Sequence, residues 1–225
     1  MNRIAKNLEE VRRRIAAAAR RAGRDAAAVK LVAVSKTVDA GRIKEAWDAG
    51  QQIFGENYLQ EARAKIAALG PGLAWHFIGH LQSNKAKAAV ELFGLIQGVD
   101  SLKLAQALEK AAGRQQKVQE ILLQVNLAGE ESKSGTVPEA AAALLQEIAH
   151  LPHLRVKGLM TMPPFLDPEE VRPYFRALRE LRDRLEQLHL GPLPELSMGM
   201  SGDYEVAVEE GATLVRVGTA IFGKR

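Results

Sequence analysis

Cysteine is absent from this chain of 225 residues, so disulfide bonds and metal sites built on thiolates are excluded. The sequence also lacks any apolar run that approaches the ~18–20 residues of a membrane span, and its amino terminus has no secretory pattern. The histidines and carboxylates show no metal-ligand spacing. We therefore expect a cytoplasmic protein with no membrane partner and no metal.

The sequence has little excess charge of either sign. The net charge is +4, and much of it lies in residues 2–24, where arginines alternate with alanines. The apolar residues of this segment recur three or four apart, which predicts an amphipathic helix with its arginines on a solvated face. Because nucleic-acid binding requires a clustered basic stripe within a recognisable motif, we expect no nucleic-acid partner. The apolar residues are Ile4, Leu8, Val11 and Ile15.

Strand and helix patterns alternate along the whole chain, without a repeat or a linker. Eight strands in this order predict a single (β/α)8 barrel domain, α/β in class, over residues 1–225. The alternative is a doubly wound open sheet, which usually has about five or six strands and a Gly-x-Gly-x-x-Gly motif after the first. That motif is missing, so we favour the barrel. The predicted strands span residues 31–36, 52–55, 75–79, 95–99, 119–127, 155–160, 195–198 and 213–217.

Capping residues predict where several of the helices begin. Asp39 is expected to cap the helix after the first strand. Thr136 and Glu139 have the spacing of a capping box, and Asp167 and Glu170 have the same spacing farther along the chain. Both pairs therefore predict helix starts.

Lys36 ends the first predicted strand, and the residues before it are apolar. Ligands bind at the carboxyl ends of strands in barrels and in open α/β sheets. An apolar wall disfavours the charged form of a lysine, and a neutral amine is a nucleophile toward carbonyl compounds. The alternative is a strand-end lysine that reaches water along its aliphatic stem.

The loops after the seventh and eighth predicted strands, residues 198–203 and 218–220, are rich in glycine. In many barrels these two loops bind a phosphate through backbone N–H groups, and glycine lets the backbone come close to the anion. Ser201 and Thr219 add hydroxyl groups, and Ser201 is also placed to cap the helix predicted at residues 203–210. The alternative is that the glycines only form tight turns.

Arg216 lies two residues before Gly218 on the eighth predicted strand. Strand alternation directs it either into the barrel or toward the helices. Inside the barrel it needs an acceptor, which a ligand or a neighbouring carboxylate would supply. Because the eighth strand of a closed barrel pairs with the first, Lys36 should lie beside the phosphate loops. An aldehyde that carries a phosphate fits this arrangement, and pyridoxal 5′-phosphate is the obvious compound.

Long motifs run in order from one end of the chain to the other. With them, the chain resembles the pyridoxal phosphate homeostasis family of pyridoxal-phosphate-binding proteins, also described as alanine racemase amino-terminal-domain-like. His80 is the one position in these motifs at which the chain departs from the family pattern, because many members carry proline there. The motifs are VAVSK at 32–36, FGENYLQE at 54–61, WHFIGHLQSNK at 75–85, VN at 125–126, ESKSG at 131–135, GLMTM at 158–162, LSMGMS at 196–201 and VRVGTAIFG at 215–223.

The resemblance implies a type III pyridoxal-phosphate barrel in which Lys36 is the Schiff-base lysine. It also implies that Arg216 faces the pyridine nitrogen and that Asn57 lines the cofactor pocket. His80 is a candidate pocket base, although a histidine at a strand end is commonly a hydrogen-bonded structural residue. No role is predicted for the loop at 131–135. The residues implied to hold the phosphate are Ser201, Gly202, Gly218 and Thr219.

Two functions are compatible with this resemblance: an amino-acid racemase of the alanine racemase type, and a carrier and regulator of pyridoxal phosphate without robust catalysis. Racemisation needs an acid or base on each face of the cofactor, and Lys36 serves one face. The racemases supply the other from a carboxyl-terminal β domain, which we expect this chain to lack because it stops seven residues past Gly218. A cation at the ring nitrogen also weakens the cofactor as an electron sink. We therefore favour a monomeric carrier whose partners are pyridoxal phosphate and apo forms of enzymes that use it.

Overall fold

The computed structural model describes residues 2–130 and 134–223. Its strands form a closed parallel barrel in chain order, in which β8 also pairs with β1. The predicted barrel is therefore confirmed, and the open sheet is excluded. The strands are β1 Lys30–Val34, β2 Ile53–Glu56, β3 Ala74–Phe77, β4 Leu95–Val99, β5 Gln119–Gln124, β6 Leu154–Met160, β7 Glu195–Ser197 and β8 Leu214–Val217.

The first helix precedes the first strand, a helix follows each strand, and the helices cover the outside of the barrel. In residues 2–130 and 134–223, none of them combines the length and the apolar character needed to cross a membrane. Short 3-10 turns lie at Ala26–Ala28, Ser83–Lys85 and Pro138–Ala140. The helices are α1 Arg3–Arg21, α2 Ala40–Asp48, α3 Leu59–Leu69, α4 Ala86–Leu92, α5 Leu102–Arg114, α6 Ala141–Ala149, α7 Pro168–Glu186, α8 Tyr204–Glu209 and α9 Thr219–Phe222.

The apolar core has two layers, because successive residues of a barrel strand face opposite sides of the sheet. The larger layer fills the space between strands and helices and includes the predicted apolar face of α1. The smaller layer takes its buried members from five different strands and fills the interior of the barrel. These inward-facing residues are Val32, Leu95, Leu122, Met160 and Leu214.

The helix caps agree with the sequence at two of the four predicted positions. The Asp39 carboxylate accepts a hydrogen bond from the backbone N–H of Arg42 at 3.0 Å, and Asp167 forms the predicted capping box with Glu170. The capping box predicted at Thr136 is wrong. Thr136 instead pairs with the chain that follows β5, and a 3-10 turn without a side-chain cap comes next. Extended pairing holds the backbone of Thr136 outside a helix start.

Candidate functional site

Lys36 lies two residues beyond the end of β1, where the chain turns sharply. The turn is made at Thr37, whose φ of 60° is in the left-handed region that β-branched residues rarely adopt. The backbone N–H of Ser35 donates to the carbonyl of Gly55 at 3.0 Å, and the Ser35 hydroxyl donates to Glu56 Oε1 at 2.6 Å. The predicted strand therefore ends earlier than expected, and contacts from β2 fix the segment that carries Lys36.

The loops after β7 and β8 meet at the hydroxyl of Ser201. Its Oγ accepts hydrogen bonds from the backbone N–H groups of Gly218 at 3.2 Å and Ala220 at 3.4 Å. The prediction that Ser201 also caps α8 is wrong, because the residue at the cap position is Asp203. The Ser201 oxygen instead accepts from the loop after β8. A hydroxyl and two backbone N–H groups therefore lie together at this point, and such groups are the ones that bind a phosphate.

Gly218 brings this junction against the end of β1. A Cβ atom at Gly218 would lie 3.3 Å from both the Cβ and the carbonyl oxygen of Val34, so a side chain would crowd the contact. A cavity of about 230 Å³ opens beside it, between the ends of β1 and β8. Gly202 is exposed, with no atom within 4 Å of a Cβ built there. Residues lining the cavity include Val34, Thr37, Arg42, Gly218 and Thr219.

Arg216 points into the barrel, which answers a question that the sequence left open. It shares its strand face with Leu214 and stands opposite Val32 in the pairing of β8 with β1. The guanidinium donates to Ser197 Oγ at 2.7 Å and to the carbonyl of Thr161 at 2.9 Å. Burial lowers its pKa to about 10, against a raising effect of Asp203. Across residues 2–130 and 134–223, no carboxylate forms an ion pair with this arginine, so neutral acceptors surround a buried cation.

A chain of hydrogen bonds continues from Arg216 across the barrel. Ser197 donates to Gln97 Oε1 at 2.6 Å, and Gln97 Nε2 lies 3.1 Å from His76 Nδ1. Because an amide nitrogen only donates, His76 Nδ1 accepts, and its proton is on Nε2. Burial lowers the pKa of His76 to about 4 and keeps the ring neutral. The sequence analysis missed Gln97 and Ser197, for which inward alternation along β4 and β7 is the available signal.

Two further predicted residues, Asn57 and His80, lie beyond the ends of β2 and β3. Asn57, Tyr58 and His80 line a groove of about 700 Å³ on the side of α3 and α4. Asn57 Oδ1 is buried and, within the described part of the chain, accepts no hydrogen bond. His80 Nδ1 lies 2.9 Å from Ser134 Oγ, so this histidine contacts the end of the 131–135 loop. Residues 131–133 of that loop lie outside the described residues.

The donors and acceptors at the mouth of the barrel, where the strands end, suit pyridoxal phosphate. An amine on Lys36, converging N–H and hydroxyl groups at Ser201, and a donor-only guanidinium on Arg216 match an aldehyde, a phosphate and a ring nitrogen, respectively. The open acceptor of Asn57 adds a polar group without a protein partner among the described residues. None of the residues described here form a group of three or more side chains suited to a metal ion.

The fold and these residues define a barrel of the alanine racemase amino-terminal type. The model of the family described as "Alanine racemase, N-terminal domain" matches residues 5–225, and the chain belongs to this family.

The chain is similar to proteins named pyridoxal phosphate homeostasis protein. It is 48% identical to that of Aquifex aeolicus over 97% of this chain and 96% of the relative. It is 49% identical to the protein of that name from Pseudomonas aeruginosa, over 100% of this chain and 97% of the relative. The predicted resemblance is confirmed.

Solved structures agree with this assignment. PipY of Synechococcus elongatus, solved with pyridoxal phosphate bound, is 40% identical and superposes with a TM-score of 0.87 over 98% of this chain and 100% of PipY. An alanine racemase of Clostridium difficile is 14% identical, with a TM-score of 0.77 over 99% of this chain and 57% of the racemase. The second likeness concerns the fold alone.

The neutral, partly buried His76 predicts a specific loss of stability in acid. Its pKa is about 4 in the folded protein and about 6.5 in the unfolded chain, so below pH ~6.5 the unfolded state binds a proton that the folded state does not. Because of this group, the free energy of unfolding should fall by about 2–3 kcal/mol as the pH is lowered from 7 to 4.5. Denaturant unfolding of His76→Gln should show a shallower decline over that range. His150→Gln, at an exposed histidine, is the control and should decline as the wild type does. Equal slopes in all three proteins would contradict the assignment.

Proposed function

We propose that this protein binds pyridoxal 5′-phosphate covalently through Lys36 and acts in the intracellular homeostasis of that cofactor, with residues 1–225 as a single binding domain. The observation that carries the proposal is the junction of Ser201 with Gly218 against the end of β1. It supports a phosphate position within reach of the segment that bears Lys36. The names of the similar proteins and the cofactor in PipY support the same conclusion.

Lys36 supplies the amine of the proposed bond. When bound, the cofactor offers an aldehyde, whose oxygen is replaced by the lysine nitrogen and leaves as water. Ser201 and the backbone amides of the two loops hold the phosphate through charge-assisted hydrogen bonds. Gly218 contributes by its lack of a side chain, and we assign supporting contacts to Gly202 and Thr219.

Arg216 and Asn57 complete the proposed pocket. Arginine donates hydrogen bonds and has no acceptor, so Arg216 pairs with an unprotonated ring nitrogen. Because its guanidinium stays charged, it cannot give the ring a proton, and the ring withdraws electrons less strongly than a protonated one. Asn57 offers its unfilled Oδ1 as an acceptor to a polar group of the ligand. This set of side chains favours binding of the cofactor over catalysis with it.

Racemisation is the other activity to weigh, because alanine racemases share the fold. It needs a second acid or base opposite Lys36. Tyr58 and His80 are the candidates at the mouth, but Tyr58 is 57% exposed and His80 already contacts Ser134. The carrier role also agrees with the much higher identity to the homeostasis proteins. We therefore propose a carrier that delivers pyridoxal phosphate to apo enzymes.

The covalent bond is tested by trapping it. Borohydride reduction of protein saturated with pyridoxal phosphate should add the cofactor mass to the peptide that contains Lys36, because reduction makes the carbon–nitrogen bond permanent. Lys36→Ala should lose this label completely. Lys87→Ala, at an exposed lysine of α4, is the matched control and should keep it. A label that stays in Lys36→Ala, located on another lysine, would contradict the assignment.

The phosphate position is tested with Ser201→Ala and pyridoxine 5′-phosphate, which carries an alcohol in place of the aldehyde. Removing one charge-assisted hydrogen bond should weaken binding of this compound by about 10- to 100-fold in fluorescence titrations. Ser83→Ala, on the 3-10 turn before α4, should bind as the wild type does. Wild-type affinity in Ser201→Ala would mean that the phosphate binds elsewhere.

The choice between carrier and racemase is tested with two assays on one preparation. Loaded protein should restore activity to an apo enzyme that depends on pyridoxal phosphate. It should not incorporate solvent deuterium at Cα of L- or D-amino acids, since Lys36 faces one side of the cofactor only. Rapid exchange into both enantiomers, lost in His80→Ala, would replace the carrier role with racemisation.

A further inference from the structure

An ionic cluster with a buried Lys–Glu pair at its centre contacts the segment that bears Lys36, and the proposed function does not use it. It consists of Lys65, Glu56 and Glu61, and we call it the Lys65 cluster. Lys65 Nζ donates to Glu56 Oε1 at 2.8 Å and to Glu61 Oε2 at 3.1 Å. The side chains of Lys65 and Glu56 are 10% and 0% exposed. Burial raises the pKa of Glu56, while the hydrogen bonds from Lys65 and Ser35 lower it.

The cluster contacts the backbone on both sides of Lys36. On one side, Lys65 Nζ donates to the carbonyl oxygen of Ser35 at 2.8 Å, and Glu56 accepts from the Ser35 hydroxyl. On the other side, Glu61 Oε2 accepts from the backbone N–H of Thr37 at 2.9 Å. The residues before and after Lys36 are therefore both bonded to one cluster on β2 and α3.

The position of Thr37 shows what these contacts hold. A threonine with a φ of 60° is strained, and such a conformation persists only when its surroundings determine it. The hydrogen bond from its N–H to Glu61 is one of those determinants. The ammonium of Lys65 has three donors, and the three acceptors around it are Ser35 O, Glu56 and Glu61. The cluster thus ties the strained turn to the rigid β2–α3 unit.

We propose that Lys65, Glu56 and Glu61 are positioning residues, which fix the turn at Ser35–Thr37 so that the amine of Lys36 is presented to the aldehyde of the bound cofactor. The inference rests on the proposed function. A buried ion pair is a poor means of stabilising a fold, because apolar residues of the same volume do so at least as well. A buried cluster that also hydrogen-bonds backbone on both sides of a reactive lysine serves geometry instead. It holds the nucleophile near its attack position.

The test compares formation of the covalent bond with simple binding. Glu61→Ala removes the acceptor of the Thr37 N–H, so bond formation with pyridoxal phosphate should slow by about 10- to 100-fold, followed by absorbance and by borohydride quenching. Glu61→Gln keeps an oxygen acceptor there and should recover most of the rate. Affinity for pyridoxine 5′-phosphate, which has no aldehyde, should stay at the wild-type value in both variants.

Two further variants test whether a slower rate comes from the Lys65 cluster or from the loss of any carboxylate. Glu91→Ala removes a carboxylate of similar exposure that pairs with Arg63 on the surface, and it should leave the rate unchanged. Lys65→Met combined with Glu56→Gln removes opposite charges together, which avoids leaving a lone buried charge, and it should slow bond formation as Glu61→Ala does.

The outcomes separate the two proposals. A wild-type rate in both Glu61→Ala and the Lys65 double variant would overturn the positioning role. An equal loss of affinity for both compounds would also overturn it, because the cluster would then support the whole pocket. If the wild-type protein itself forms no trapped bond, the proposed function fails instead.

Discussion

Pairing of β8 with β1 is the constraint on which the candidate site depends. Its register sets Val32 opposite Arg216 and Ala33 opposite Val217, so the chain beyond β1 emerges beside Gly218. Val32 and Arg216 are 216 − 32 = 184 positions apart in a chain of 225 residues, and only closure of the barrel brings the two segments together. An open sheet with the same strands would leave β1 and β8 unpaired with each other. The proposed amine and phosphate donors would then belong to separate edges.

Closure also encloses polar side chains in the barrel interior, where bulky apolar residues usually dominate. Here apolar side chains such as Val32 and Met160 share the interior with Arg216, Ser197 and Gln97, which form a hydrogen-bonded chain. Burying a guanidinium without a carboxylate partner is costly unless every neighbour accepts a hydrogen bond. The chain that ends at neutral His76 supplies such acceptors in a fixed direction. It holds the arginine in place without neutralising it, which suits the proposed role of Arg216 as a donor to a ring nitrogen.

The two levels of the site divide the proposed work. The proposed phosphate site is the junction of the loops at Ser201 and Gly218, where backbone N–H groups of one loop donate to the serine hydroxyl of the other. The Lys65 cluster orients, because it acts on the residues that flank Lys36 rather than on the ligand. In the proposed site, Lys36 supplies one amine for covalent binding, and the two residues considered as a second base are an exposed tyrosine, Tyr58, and a histidine that contacts Ser134, His80. Under the proposed function, this arrangement favours binding of pyridoxal phosphate over catalysis with it.

The sequence by itself determined the strand order, the amphipathic face of α1 and the motifs at Lys36, Ser201 and Arg216, because these depend on local periodicity and residue type. It misjudged Thr136, where long-range pairing overrode a capping pattern, and Ser201, whose hydroxyl bonds a distant loop instead of its own helix. The inward direction of Arg216 and the grouping of the Lys65 cluster were decided only by the tertiary structure. Strand alternation allows two faces, and the distance between side chains on different elements is fixed by packing, which no local pattern encodes.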